Sequence, residues 1–177
     1  MKKLKNKDLQ RITIKEFKRA KKTPITIVLD NVRSALNVGS VFRTADAFLI
    51  ENIILCGITS TPPSKEIRKT ALGATNSVNW SYEENTINAL SKLKKDGYHI
   101  IGIEQVNKSL KLNNYTFQKK PIAIVMGNEI NGVAENVINI CEEVLEIPQY
   151  GTKHSLNVSV TTGIVIWEIW KKMQESN

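Results

Sequence analysis

Residues 121–132 read PIAIVMGNEING, and this stretch decides the fold class. A short apolar run, rich in β-branched residues, ends at two glycines separated by polar residues. Such a run between turn residues is typical of a strand buried on both faces, as strands of parallel sheets are. Similar runs at residues 25–29, 53–56, 98–103 and 144–147 predict four more strands.

Helical patterns lie between these strands. Val38, Phe42, Ala45 and Leu49 fall on one stripe and predict a helix over residues 37–49, and further helices are expected at 83–96 and 133–140. Residues 57–69, with two prolines and several Ser and Thr, are predicted to be a loop. Residues 155–173 suit a strand by their β-branched content and a helix by their length. We interpret them as a helix that is apolar nearly all round, through Leu156, Val160, Ile164, Trp167, Ile169 and Trp170.

Alternating strands and helices predict an α/β fold with a mainly parallel sheet and helices on both faces. Ligands of such sheets bind beyond the carboxyl ends of the strands. The segments that follow Leu29, Ile103, Met126 and Ile147 are therefore where a site is expected.

Charge is concentrated at the start of the chain. The net charge is +8, and residues 1–22 hold ten Lys or Arg against two acidic residues, so the remainder is balanced. We predict a basic arm over residues 1–22, ahead of one domain over 23–177. The arm is expected to form a short helix that docks through Ile12, Ile14 and Phe17; the alternative is a disordered solubilising tail.

Several classes of protein are excluded or disfavoured. Cys56 and Cys141 lack partners at zinc-ligand spacing, so they are interpreted as buried free thiols, and no metal is expected. No signal peptide and no apolar run long enough to span a membrane is visible, which predicts a cytoplasmic protein without a membrane partner.

The first polar segment contains Asn37, Gly39 and Arg43. Asn37 suits the N-cap of the following helix, and Gly39 and Arg43 share one helical face. A glycine beside free amides, with an arginine one turn later, favours an anion such as phosphate. The alternative is a capped helix with a surface arginine.

Two further segments carry weaker signals. Gly127 and Gly132 allow close backbone approach, although a plain turn would show the same glycines. Ser155 is a plausible cap for the last helix, with Asn157 in its first turn. His154 precedes Ser155, but without a nucleophile elbow a solvated histidine is the better interpretation.

Together the three segments resemble the motifs of the SpoU/TrmH-type RNA ribose 2′-O-methyltransferases of the SPOUT superfamily. The N-x-G-x-x-x-R-T-A pattern is matched from Asn37 to Ala45, G-x-E-x-x-G from Gly127 to Gly132, and I-P followed by S-L-N-V-S-V from Ile147 onwards. The resemblance covers about residues 24–172.

The resemblance implies a C-terminal trefoil knot, a homodimer, S-adenosylmethionine as cofactor and tRNA or rRNA as substrate. Residues 23–177 would then be a SPOUT methyltransferase domain. The expected cofactor residues are Glu104, Gly127, Asn128, Ile147, Pro148 and Leu156, in a pocket with few charges. The expected catalytic residues are Arg43, Asn37, Glu129, Ser155 and Asn157. RNA contacts are expected from Lys15, Lys18, Arg19, Lys22, Arg43, Lys65, Arg68 and Lys69.

The implied chemistry is attack by a ribose 2′-oxygen on the cofactor's methyl group. Family descriptions often make the arginine at Arg43 a general base. An arginine stays protonated, so we interpret it as orienting the hydroxyl and stabilising developing alkoxide charge. Two rival hypotheses are an RNA-binding protein without catalysis on this fold and a nucleotide-binding α/β protein unrelated to methylation.

Overall fold

The computed structural model describes residues 1–175, apart from the side chains of residues 6 and 7, and it contains one seven-stranded sheet. The strands are β1 (Thr23–Asp30), β2 (Ile50–Cys56), β3 (Trp80–Glu83), β4 (His99–Ile103), β5 (Leu110–Lys111), β6 (Ile122–Met126) and β7 (Glu143–Glu146). Their order is β3-β2-β1-β6-β4-β7-β5, and each neighbouring pair is parallel. The five predicted strands are confirmed, and the short strands β3 and β5 were not predicted.

Six α-helices cover the sheet. They are α1 (Ile14–Arg19), α2 (Ala35–Ala47), α3 (Lys65–Ala71), α4 (Thr86–Lys95), α5 (Glu135–Ile138) and α6 (Val158–Glu175). One core joins α1, α2, α3 and α6 to one face of the sheet, and a second core joins α4 and α5 to the other. This confirms the predicted α/β fold with helices on both faces.

In the sheet, strands from later in the chain lie between strands from earlier in the chain. β6 lies between β1 and β4, and β7 lies between β4 and β5. The carboxyl ends of β4, β6 and β7 consequently meet at one edge, and the last two segments predicted to carry chemistry begin there. The knot itself is a consequence that the family resemblance implies.

Helix α2 begins and ends two residues earlier than the predicted range of 37–49. α2 begins at Ala35 with Ser34 as its N-cap, because Ser34 Oγ accepts from Asn37 N, so the prediction of Asn37 as the cap was wrong. The helix ends at Ala47, and Leu49 lies beyond it with a φ of 51°.

The predicted loop over residues 57–69 was wrong in its second half. Ser64 Oγ accepts from Ile67 N at the start of α3, and Ile67 and Ala71 are buried. Lys65, Arg68 and Lys69 therefore lie exposed on a helix.

The terminal helix is shorter than predicted at its start. Asn157 Oδ1 accepts from the backbone amides of Ser159 and Val160, so Asn157 is the cap and the prediction of Ser155 was wrong. Val165, Ile166 and Ile169 are fully buried, whereas Val160 and Trp167 are about half exposed.

The basic arm docks through one aromatic ring. Thr13 and Glu16 form a capping box at the start of α1, and Phe17 is buried in the core. Ile12 and Ile14 remain half exposed, so their predicted docking was wrong. Lys22 Nζ donates to the carbonyl oxygens of Phe17 and Ala20 and fastens the helix to the body.

Both cysteines are free thiols. Cys56 is buried and Cys141 is half-buried. Burial raises the pKa of each thiol to about 12, so both stay protonated at neutral pH. Within residues 1–175, no helix is long and apolar enough to cross a membrane.

Candidate active site

A cavity of about 690 Å³ opens at the carboxyl edge of the sheet. Its walls come from the segments after β4, β6 and β7 and from the first turn of α6. Of the segments where a site was expected, those after Ile103, Met126 and Ile147 line this cavity. The segment directly after Leu29 does not line the cavity. It leads into α2, whose Asn37 reaches the rim of the cavity through a hydrogen bond to Glu129.

A chain of hydrogen bonds joins the three motifs at the rim of this cavity. Asn157 Nδ2 donates to Asn37 Oδ1 over 3.1 Å, and Asn37 Nδ2 donates to Glu129 Oε1 over 2.9 Å. Because Asn157 Oδ1 already accepts from the first turn of α6, its amide can only donate towards Asn37. The orientation of Asn37 is fixed in turn.

Glu129 is an ionised carboxylate at this rim. Partial burial on its own raises its pKa, but hydrogen bonds from the Asn37 side chain and from nearby backbone amides outweigh that effect and lower it below the usual value. The amides of Ser34 and Arg33 belong to the N-terminal end of α2. The positive end of the helix dipole favours an anion at this place.

The glycines of the second motif shape the cavity wall. A side chain at Gly127 would collide with the backbone of Gly132 and Val133, and one at Gly132 would collide with the carboxylate of Glu104. Asn128 and Gly132 pair through both backbone hydrogen bonds, at 3.1 and 3.0 Å. The main effect of these glycines is that the loop packs tightly on itself and on Glu104. Access of a ligand to the cavity wall is a secondary effect.

The lining is more acidic than expected. Glu104, Glu129 and Glu146 line the cavity, and among its described lining residues there is no Lys or Arg. Glu104 accepts from Val133 N and Gln105 N, and Glu146 accepts from Ser109 Oγ. Because these three carboxylates are the only Asp, Glu, Lys or Arg side chains in the part of its wall that the structure describes, the cavity favours a ligand that carries positive charge.

Most predicted cofactor residues meet at the cavity. Its lining includes Glu104, Gly127, Asn128, Ile147 and Leu156, but not Pro148. Of the predicted catalytic residues, Glu129, Ser155 and Asn157 line it, and Asn37 reaches it through Glu129. His154 is exposed at the rim, and its carbonyl accepts from Gln105 Nε2 over 2.8 Å.

Arg43 does not join this group within one chain. It lies six residues beyond Asn37, about 9 Å further along α2 and roughly a third of a turn round the helix. Its side chain is exposed and does not line the cavity.

Gly39 does not receive a ligand. A Cβ at this position would collide with Thr70 Oγ1 and with the carbonyl of Ile67, both on α3. The absent side chain lets α3 cross α2 closely, and Thr70 Oγ1 donates to Leu36 O over 2.9 Å at the crossing. The predicted phosphate contact at Gly39 was therefore wrong.

The lining residues that were not named as site residues from the sequence include Gln105, Val106, Ile138, Glu146 and Thr161. Gln105 and Val106 follow Glu104 beyond β4, so the edge rule that selected Glu104 could have been extended to them. Thr161 lies one turn after Asn157 on the same helical face. Nothing in the local sequence marks Ile138. Over residues 1–175, no cluster of His, Cys, Asp or Glu is arranged to hold a metal.

Comparison with known proteins decides the family. The model of the SpoU rRNA Methylase family matches residues 24–167, most of the chain. The chain belongs to this family. The resemblance drawn from the three motifs is thus confirmed.

Family members of known sequence and structure are similar to the chain over most of its length. It is 32% identical over 157 residues to a 23S rRNA (guanosine-2′-O-)-methyltransferase of Blochmanniella floridana, covering 87% of this chain and 60% of that protein. It is 31% identical to an uncharacterized tRNA/rRNA methyltransferase of Borreliella burgdorferi, covering 97% and 73%. Among solved structures, a TrmH/SpoU tRNA modifying enzyme of A. aeolicus has a TM-score of 0.82 at 26% identity, covering 92% of this chain and 83% of that one. An AdoMet-bound rRNA methyltransferase of Sinorhizobium meliloti has a TM-score of 0.79 at 27% identity, covering 88% and 59%.

Proposed function

We propose that the protein transfers a methyl group from S-adenosylmethionine to a ribose 2′-hydroxyl of tRNA or rRNA. The observation that carries this proposal is the hydrogen-bond chain from Asn157 through Asn37 to Glu129 at the rim of the cavity. It brings one residue from each of the three motifs into a single arrangement. The family of the chain and the activities of its relatives support the same activity.

The cavity suits the cofactor in size and charge. Its volume of about 690 Å³ lies in the range of small-molecule sites. Ile103, Val133, Ile138 and Leu156 offer apolar surface for an adenine ring. The three lining carboxylates favour the positively charged sulfonium and ammonium groups, so the residues present fit S-adenosylmethionine.

When bound, S-adenosylmethionine supplies an electrophilic methyl group. Asn157, which caps α6, orients Asn37, and Asn37 holds Glu129 at the rim. There the charge of Glu129 attracts the cationic cofactor, and its hydrogen bond to Asn37 fixes the loop over residues 127–132. Ser155 offers a hydroxyl on the cavity wall beside them. Arg43 orients the ribose hydroxyl or an adjacent phosphate and stabilises the negative charge that develops on the 2′-oxygen. The proton of that hydroxyl leaves to a phosphate oxygen or to water.

A homodimer would bring Arg43 to this chemistry. Val160, Ile164 and Trp167 of α6 are 38–52% exposed, and Leu36 of α2 is 44% exposed. α2 and α6 pack against one another, so these side chains lie on adjoining helices. We propose that this surface is covered by a second copy, whose cavity receives Arg43.

The decisive experiment measures the position of the methyl group. Wild-type protein is incubated with unmodified tRNA and rRNA and with radiolabelled S-adenosylmethionine, and the RNA is hydrolysed in alkali. A 2′-O-methyl group blocks cleavage at its own nucleotide, so the label is expected in alkali-resistant dinucleotides. Label in mononucleotides would assign methylation to a base, and no label would favour the non-catalytic RNA-binding protein.

A further inference from the structure

A second large groove lies at the opposite edge of the sheet from the cofactor cavity. It has a volume of about 870 Å³ and is bordered by the start of β1, the segment before β6 and the end of α6. We call it the basal groove and define it by residues 21–24, Leu49, residues 113–121, Trp170 and residues 172–175. Neither the three motifs nor the methyl-transfer chemistry uses it.

The charge of the basal groove is almost entirely positive. Five lysines line it, against the single carboxylate of Glu175. Those lysines are Lys21, Lys22, Lys119, Lys120 and Lys172. Lys21 and Lys120 are exposed, which makes their ammonium groups available to a ligand.

Other side chains hold the groove in shape. Lys172 Nζ donates to the carbonyls of Asn113 and Tyr115, at 3.1 and 2.7 Å, and pairs with Glu168 at 3.0 Å. The Tyr115 and Phe117 rings pack edge to face, with centroids 4.8 Å apart, in the groove wall. Tyr115 is buried and Phe117 packs against it, so the wall is preformed.

The basic arm leads directly into this groove. Phe17 anchors α1 in the core, and Lys22 fastens its end, so the exposed Lys18 and Arg19 are presented just before Lys21. The arm and the groove thus form one positive surface. A long polyanion such as an RNA backbone complements such a surface.

We propose that the basal groove binds the phosphate backbone of an RNA segment remote from the methylated ribose. The inference rests on RNA being the substrate. β1 has eight residues, so at about 3.3 Å per residue the two edges of the sheet lie roughly 23 Å apart. The groove therefore contributes affinity for the body of a folded RNA, while the cavity edge holds the target nucleotide.

The test is a double variant, Lys21→Gln with Lys120→Gln, in the full chain. Binding of an unmodified tRNA transcript is measured by fluorescence anisotropy at several salt concentrations. Two lost phosphate contacts should lower the slope of log affinity against log salt by about 1.4 to 1.8 and weaken binding roughly 25- to 60-fold near 0.1 M salt. At saturating RNA the methyl-transfer rate should be unchanged, and S-adenosylhomocysteine affinity should equal that of wild type.

Lys95→Gln with Lys111→Gln is the matched control. Both side chains are exposed and lie outside the groove, so the same loss of charge should leave the slope nearly unchanged. Equal slopes for the groove variant and wild type would overturn the inference, as would equal losses in the two double variants. Dissociation of a dimer in the groove variant alone would assign the groove to a protein contact and would also overturn it. A wild type that binds tRNA through the groove but transfers no methyl group would refute the proposed function and leave the groove assignment standing.

Discussion

Replacing Asn157 by Ser separates the two contacts that this side chain makes. Asn157 Oδ1 caps α6 by accepting from Ser159 N over 2.9 Å, and Asn157 Nδ2 donates to Asn37. Serine is also a good N-cap, but its side chain is too short to reach Asn37 while it caps. Asn157→Ala removes both contacts. Asn157→Ser therefore keeps the cap and Asn157→Ala loses it, whereas both variants lose the hydrogen bond to Asn37.

The structure sets the size of each effect. Loss of the cap in Asn157→Ala should cost about 1 kcal/mol, and loss of an exposed hydrogen bond at most about 1 kcal/mol more. For a chain of 177 residues this lowers Tm by about 3–5 °C, whereas Asn157→Ser, which loses only the hydrogen bond to Asn37, should stay within about 3 °C of wild type. Both variants release Asn37 and Glu129, and a loss of about 1.4 kcal/mol in transition-state positioning would lower kcat roughly tenfold.

Thermal unfolding and methyl-transfer kinetics on the three proteins give the comparison. The expected pattern is near-wild-type stability for Asn157→Ser, with kcat as low as that of Asn157→Ala. If serine restores kcat together with Tm, the residue acts only as a helix cap, and the chain through Asn37 to Glu129 plays no part in the reaction. Asn157→Asp is a third arm: it keeps the cap but places a carboxylate against Asn37 Oδ1, so its kcat should also fall.

The remaining predictions concern the other parts of the molecule. Arg43→Ala should abolish methyl transfer and leave S-adenosylhomocysteine affinity within about twofold by calorimetry; a large loss of affinity would mean that Arg43 lies in the cofactor site. Leu156→Glu should weaken cofactor binding at least about tenfold in a folded protein, because it adds a fourth carboxylate and removes apolar wall, and normal binding would mean that the third motif has been misassigned. Light scattering should report about twice the 19.9 kDa chain mass, and Trp167→Glu should yield monomers; an active wild-type monomer would refute the dimer. Removal of residues 1–12 should keep the fold and reduce the salt slope of RNA binding, whereas removal of residues 1–22 also removes Phe17, which should cost about 3–5 kcal/mol of stability. Unchanged Tm in the longer truncation would show that Phe17 is not part of the core.

The sequence alone was sufficient for the main strands and for the edge that carries the site. Residues 25–29 and 121–126 are apolar apart from Thr26, because parallel strands are buried on both faces, and such runs can be recognised without knowledge of their neighbours. The three motifs could be found for a related reason: each is a local pattern at the end of a strand or the start of a helix. Most of the predicted cofactor residues consequently lie at one cavity.

The predictions that failed depend on contacts between elements distant in the chain. Gly39 looked like a ligand-binding glycine until α3, some thirty residues later, was found packed against it. Lys22 was expected to contact RNA, and the structure adds that its ammonium group donates to the carbonyls of Phe17 and Ala20, a contact that the sequence did not show. In both cases the residue type permits more than one contact, and only the position of another segment decides which of them form.

The hydrogen-bond chain of the site shows most clearly which features depend on residue type and which depend on the positions of other segments. The sequence supplied Asn37, Glu129 and Asn157 as polar residues in three motifs, separated by 92 and 120 positions where they bond. Their order, their donors and acceptors, and the lowered pKa of Glu129 follow from strand order and from the cap on α6. Residue identity determines which hydrogen bonds are possible, whereas the packing of the sheet and its helices determines which of them form, because a hydrogen bond requires two groups to lie within about 3 Å of one another.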